Sequence, residues 1–289
     1  MKRAVRRLIC ALLCLALLGG GTAFAAERER PALDELRVYL CSLLAGRAYR
    51  SGEDIFMSLS DFGEMYDIAL RVENMREGFT ADAPGLEIAG TRDSGYMTAN
   101  CRYIYLPRGY LISGGELYLP LDALCRIFGV TAEIDEERVD LTTAQARLIS
   151  GGEDYYEMNC DPQALYWLPR IGYGEAYEQP LAGIMGVCSV VLNRVADEDF
   201  PNTIFEVLYD NKHTVQFSPV TTLAMKDKPD EIYCIAAYLV LEGYNVVGES
   251  TYFVNPAGGA NAWFEQNLSY VVTYGNHEFY KAVDEEEDA

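Results

Sequence analysis

The stretch WLPRIGYGEAYEQPLAGIMGVCSVVLNRV, Trp167 to Val195, changes character in its middle. Its first part is rich in glycine, proline and tyrosine. Its last part is apolar, and Ile184, Val187, Cys188, Val191, Leu192 and Val195 fall on one face at helical spacing. Pro180 suits the start of that helix, because a proline at the first helical position gives up no hydrogen bond. Upstream, ALYWLPRIGY reads as a short helix and a bend. Glu175 stands between them, flanked by Gly174 and Ala176. It is either a solvated turn residue or a proton donor.

Working outward, helices dominate the start of this half. TIFEVLY, after FPN, reads as a short helix. PDEIYCIAAYLVLEGY reads as another, begun by Pro229 and ended near Gly243. STYFVNP and YVVTYGNHEFY then read as strands. Helices first and a small sheet later make this half α+β. Asp161 and Pro162 are a start signal for its first helix, and SGGEDYYEMNCDPQ, Ser150 to Gln163, reads as a linker.

The first half contains a repeat. DIFMSLSDFGEMYDIALRVE, from Asp54, aligns with ELYLPLDALCRIFGVTAEID, from Glu116. Ile55 matches Leu117, Leu59 matches Leu121, Phe62 matches Leu124 and Tyr66 matches Phe128. Each copy reads as strand, helix, strand, with Ser60 and Asp61 as caps for the first helix and Asp122 near the start of the second. GLEIAG and RYIYLP add strand signals. The expected organisation is a stalk-like α/β module over 33–148, a linker over 149–160, a second domain over 161–282 and an acidic tail over 283–289.

Residues 1–25 read as an export signal. Lys2, Arg3, Arg6 and Arg7 form a basic region, LICALLCLALL an apolar core, and Ala23 to Ala25 a small-residue cleavage site. The apolar run is short for a membrane span. The expected location is secreted or at the cell wall, with no membrane attachment after cleavage. The net charge is −21, and losing that segment makes it more acidic still. Such a surface repels phosphate backbones and anionic lipid, so no nucleic acid is expected as a partner. A neutral polysaccharide is compatible with it. Of eight cysteines, six lie beyond the export signal. Their spacing has no C-x-x-C pair, and Cys125, Cys188 and Cys234 sit in apolar helical patterns that suit buried free thiols.

The chemistry narrows to carboxylates. The two histidines, His213 and His277, make no metal-binding pair with familiar spacing, so no metal and no cofactor are expected. Cys188 with His277 imitates a Cys–His nucleophile, but Cys188 lies in the apolar stripe. Glycoside cleavage needs a general acid with a raised pKa, usually from apolar surroundings. Ile171, Tyr173 and Tyr177 supply such a wall around Glu175, and Gly172 and Gly174 leave room for a sugar to approach. Glu178 is three residues on, and it is read as a solvent-facing charge.

From Tyr166 onward the chain resembles the catalytic domain of the spore cortex-lytic, cell-wall hydrolase family (a SleB-like domain). The matching pieces are YGEA at Tyr173, VVLNRV at Val190, FPNTIFEVLY at Phe200, QFSPV at Gln216, YFVNP at Tyr252, Trp263, and YGNHEFY at Tyr274, all in the family's order. The resemblance implies a lysozyme-related, mainly helical catalytic domain with a small β-sheet. It implies a lytic transglycosylase that cuts peptidoglycan glycan strands between N-acetylmuramic acid and N-acetylglucosamine, with Glu175 as acid and base. Tyr173, Gln216, Ser218, Tyr252, Asn255, Trp263 and His277 are its candidate substrate-binding residues. For Tyr252, Asn255 and Trp263 a core role is as natural as a sugar platform, and Asn276 and His277 suit bracing the cleft. A water-using muramidase and a non-catalytic wall-binding protein are the alternatives, and an accessory or activating protein is compatible with either. GELYLPLDALCRIFGVTAEIDEERVDLT, Gly115 to Thr142, is similar to the copper amine oxidase N-terminal-like stalk domain. That segment has no histidine, so the resemblance implies no copper chemistry.

Overall fold

In the computed structural model, the described residues are 34–151, 163–210, 217, 228–258 and 261–283. The expected export signal, most of the linker with Asp161 and Pro162, and residues 284–289 of the acidic tail lie outside them. Residues from Asp34 onward belong to one compact unit.

The two repeated segments each form strand, helix, strand. The first gives β3 (Asp54–Ser58), α1 (Leu59–Glu64) and β4 (Arg71–Met75). The second gives β10 (Glu116–Pro120), α2 (Leu121–Phe128) and β11 (Ala132–Ile134). Strands β3 and β10 pair antiparallel, Tyr118 against Ser58. The helices meet through rings, with Phe62 and Phe128 centred 5.0 Å apart. The cap of α1 is Ser58, whose Oγ accepts from the Asp61 N–H at 3.2 Å; Ser60 lies inside the helix. Helix α2 ends at Gly129, where φ of 62° favours a residue without Cβ.

The rest of the first half is more strand-rich than an α/β module. Strands β1 (Asp34–Leu40), β2 (Leu43–Ser51), β9 (Leu111–Ser113) and β12 (Arg138–Leu141) complete a seven-stranded sheet in the order β11-β12-β1-β2-β3-β10-β9. Only β1 and β12 run parallel in it. Between the repeats, β5 (Gly78–Ala83), β6 (Leu86–Thr91), β7 (Tyr96–Ala99) and β8 (Arg102–Tyr105) extend β4 into a five-stranded antiparallel meander. Its turns carry Asp93, Asn100 and Cys101 at positive φ. Leu36, Val38, Phe62, Phe79, Leu86, Ile104, Leu124 and Phe128 share one core beneath these sheets.

The second half has its own core. Helix α3 (Ala164–Glu175) is followed by α4 (Leu181–Ala196), α5 (Ile204–Leu208) and α6 (Glu231–Leu241). The predicted bend in ALYWLPRIGY does not form. Pro169 is accommodated inside α3, because Ala164, Leu168 and Ile171 all bury on one face and that packing outweighs the missing N–H. Thr203 caps helix α5: its hydroxyl accepts from the Glu206 N–H at 3.2 Å and donates to the Glu206 carboxylate at 2.9 Å. Strands β13 (Tyr252–Val254), β14 (Leu268–Tyr274) and β15 (His277–Ala282) form a three-stranded sheet in the order β13-β15-β14. The sequence reading missed α7 (Asn261–Asn267), a short helix without an apolar repeat. Among the described residues, no helix is long and apolar enough to cross a membrane.

Helix α4 can lie close to this sheet because residue 186 is glycine. A Cβ there would come 2.5 Å from Phe279 Cζ and 3.0 Å from Val247 Cγ1, both on fully buried side chains. Gly186→Ala gains helix propensity of about 1 kcal/mol, but the overpacking costs about 1–3 kcal/mol. The expected net result is a lower midpoint in urea unfolding. An unchanged or raised midpoint contradicts the close approach.

Candidate functional site

Glu175 is the last residue of α3, not a loop residue. The spacing of Ala164, Leu168, Ile171 and Glu175 puts them on one stripe of the helix. The first three are completely buried, so the carboxylate extends the buried stripe at its C-terminal end. Glu175 is half-buried and its Oε1 is shielded from solvent. The Ala176 N–H closes the helix on the Gly172 carbonyl at 2.9 Å.

Gly172 does not open the site to a sugar. It is buried, and a Cβ there would stand 3.0 Å from Ile184 Cγ2 and 3.5 Å from Cys188 Sγ. Its role is to let α3 rest on α4. Cys188 is itself buried, and burial alone pushes its thiol up to about 12, which removes it as a nucleophile at neutral pH. Cys41, Cys125, Cys188 and Cys234 are free thiols.

Tyrosine rings flank the end of α3. Tyr173 meets Tyr177 edge-on at 5.5 Å and Tyr233 at 5.2 Å. Tyr233, from the first turns of α6, is buried and was not singled out from the sequence. Its hydroxyl accepts the Glu178 N–H at 3.3 Å. Glu178 is exposed and its φ is 57°, so the chain reverses there. Gln179 then ties this loop to the β14–β15 turn: its Oε1 accepts the Asn276 N–H at 2.8 Å. Gly275 permits the contact, since a Cβ would lie 2.3 Å from Gln179 Oε1. The loop that follows Glu175 is thus held from both sides.

The other candidates divide. His277 follows that turn but points into the core: it is 5% exposed, with Phe253 edge-on at 5.5 Å. Its Nδ1 is buried without a hydrogen-bond partner among the described residues. Tyr252 is half-buried near Phe200. Asn255 is exposed, and its Oδ1 accepts the Ala257 N–H at 3.0 Å, closing a local turn. Trp263 is 55% exposed on α7, and its ring contacts Phe264, which meets Tyr280 towards the far end of β15. Gln216 and Ser218 lie outside the described residues. Phe217 between them is buried against Phe253 at 6.0 Å.

Two residues of the VVLNRV motif have structural work. Asn193 donates to the carbonyls of Gly248 and Ser250 at 2.7 and 2.8 Å. Arg194 is buried, with its guanidinium 4.9 to 5.4 Å from the rings of Phe200, Phe217 and Tyr252 and its Nε on the Thr251 carbonyl at 2.7 Å. Burial lowers its pKa to about 10, which leaves it charged at neutral pH. Among the described residues, no cluster of His, Cys, Asp and Glu is arranged to hold a metal.

Residues 178–280 match the Cell Wall Hydrolase family. The matched segment lies wholly in the second half of the chain. The matched segment begins three residues after Glu175. Relatives that it matches include spore cortex-lytic enzymes. The Bacillus cereus enzyme is 28% identical over 109 residues, which cover 38% of this chain and 40% of that protein. The Halalkalibacterium halodurans enzyme is 31% identical over 91 residues, covering 32% and 27%. The chain thus spans well under half the length of these relatives. Among solved structures, the catalytic domain of the germination-specific lytic transglycosylase SleB from Bacillus anthracis aligns at 25% identity, over 43% of this chain and 98% of that one, with a TM-score of 0.39.

Burial lowers the proton affinity of His277. In the unfolded chain a histidine titrates near about 6.5. The unfolded state therefore binds more protons below that pH, and folding stability falls as the pH drops through this range. His277→Leu is expected to lose less stability between about pH 7 and pH 5 than the unsubstituted chain. Equal losses in thermal melts across that range would show that His277 is not the titrating group.

Proposed function

We propose that this chain is an exported, cell-wall-associated enzyme that cleaves peptidoglycan glycan strands. The reading makes it a lytic transglycosylase of the bond between N-acetylmuramic acid and N-acetylglucosamine, acting in cortex lysis or wall remodelling. The observation that carries it is the position of Glu175, a carboxylate continuing the buried stripe of α3 beside Tyr173. The match to cell wall hydrolases supports the substrate class, and the names of the relatives support cortex peptidoglycan.

General acid catalysis at a glycosidic oxygen needs a carboxyl that brings its proton to that oxygen. The first step needs that proton. Glu175 donates it to the glycosidic oxygen, the bond from muramic C1 breaks, and the glucosamine end leaves as an alcohol. The resulting carboxylate then takes the proton of the muramic C6 hydroxyl as O6 closes on C1. The product ends in a 1,6-anhydro ring, Glu175 regains its proton, and no water is consumed. One carboxyl serves both steps. A hydrolase acting through water needs a second carboxylate across the scissile bond. Glu178, the nearest in sequence, is exposed and beyond the end of the helix, which favours the one-carboxyl reading.

The test compares the full chain with Glu175→Gln on cortex and vegetative sacculi. The variant is expected to lose about 10²–10⁴-fold in rate. Mass spectrometry of the products is expected to find anhydro ends, lighter by one water than reducing ends. Reducing ends would establish the muramidase. Equal rates for both proteins would remove Glu175 from the chemistry. Binding without cleavage by either would make the chain a wall-binding protein.

A further inference from the structure

The last residue before the αL turn that ends α6 is a carboxylate with no solvent contact. The side chain of Glu242 is 0% exposed. Two arginines from the first half hold it. Arg102, which opens β8, approaches through Nε at 2.5 Å and Nη2 at 2.6 Å, one nitrogen on each carboxylate oxygen. Arg126, near the end of α2, places Nη2 2.8 Å from Oε2 and also bonds the Glu242 carbonyl. Rings continue the contact. Tyr103 stacks on Tyr238 at 5.2 Å with 1° between planes, Tyr105 meets Tyr244 at 5.9 Å, and the Arg126 guanidinium lies 4.8 Å from the Tyr244 ring.

The same helix reaches the candidate site at its other end. From Glu242 back to Tyr233 is nine residues, about 14 Å along a helix. There Tyr233 packs on Tyr173 and accepts the Glu178 N–H. Helix α6 is therefore fixed at one end by the first half, and it touches the Glu175 loop with the other. A rigid helix transmits a shift at one end to the other, whereas a side chain on a loop would absorb it.

We propose that Glu242 is a positioning residue: through α6, the first half of the chain holds the loop after Glu175 in its working geometry. This goes beyond a stalk that merely spaces or anchors the enzyme. Its consequence for catalysis rests on the function proposed above.

Hydrogen exchange on the full-length protein tests the coupling without reference to activity. Glu242→Gln keeps the shape and removes the charge that satisfies both arginines. Phe79→Leu is the comparison, since it disturbs the first core away from the contact with the second half. In Glu242→Gln the Glu178 and Asn276 amides are expected to exchange at least about tenfold faster, while Phe79→Leu leaves them unchanged. If Glu242→Gln does not fold, Arg126→Lys, which keeps the charge but loses the forked geometry, takes its place with the same expectation. Faster exchange confined to residues near Arg102 and Arg126, or an equal effect of Phe79→Leu, overturns the proposal. On sacculi, the expected signature is a kcat about tenfold lower with KM within about twofold. Unchanged kcat despite faster loop exchange overturns the positioning role. If the unsubstituted chain cleaves nothing, the function reading fails, and the exchange result still decides the coupling.

Discussion

A carboxylate fully removed from water is tolerated only where cations and hydrogen bonds replace its solvation. Glu242 is such a group, and its two cations come from the other half of the chain. The demand runs in both directions. Arg102 is 14% exposed along its side chain, so it too depends on the partner it meets. Two hydrophobic cores that meet through tyrosines are joined also by a charge whose cations come from the opposite half. The stacked tyrosines beside it exclude water from the contact and give it a fixed orientation.

This changes what the first half is for. Its repeat, its meander and its predominance of strands form a core of their own, and its sequence resembles a stalk. A stalk joined by a flexible linker sets distance. A module joined through a buried ion triad also sets angle, and here the triad sits at one end of a helix whose other end borders the candidate site. The site loop gains its second restraint from Gln179 on the Asn276 amide. Its geometry is thus assembled from three separate parts of the chain.

Much of this was legible in the sequence where periodicity was strong. The apolar stripe of α4, the short helix after FPN and the paired repeats all appear as patterns of single residues. The bend at Pro169 was misread, because a proline argues locally against a helix while burial of Leu168 and Ile171 argues for one, and only the packing decides. The meander was under-read, because its short strands mix polar and apolar residues and its turns use Asp93, Asn100 and Cys101 rather than glycine alone. At the site, Glu175 was visible through its motif, but its place on a buried helical stripe was not. Tyr233 and Gln179 carried no local signal, since their partners lie 55 and 97 residues away. Glu242 resembled any glutamate at a helix end. A buried ion pair between distant segments leaves no mark on either one.

That last separation has a consequence for how the protein is made. A ribosome builds the chain from its N-terminus, so the first core and both arginines exist before α6 does. The β14–β15 turn that grips Gln179 is among the last of the described segments to appear. Whatever Glu175 does, its loop is unrestrained on one side until the C-terminal hairpin has folded. That restraint is therefore complete only once β14 and β15 have formed, and a truncated product that keeps Glu175 but lacks Gly275 and Asn276 would lack it.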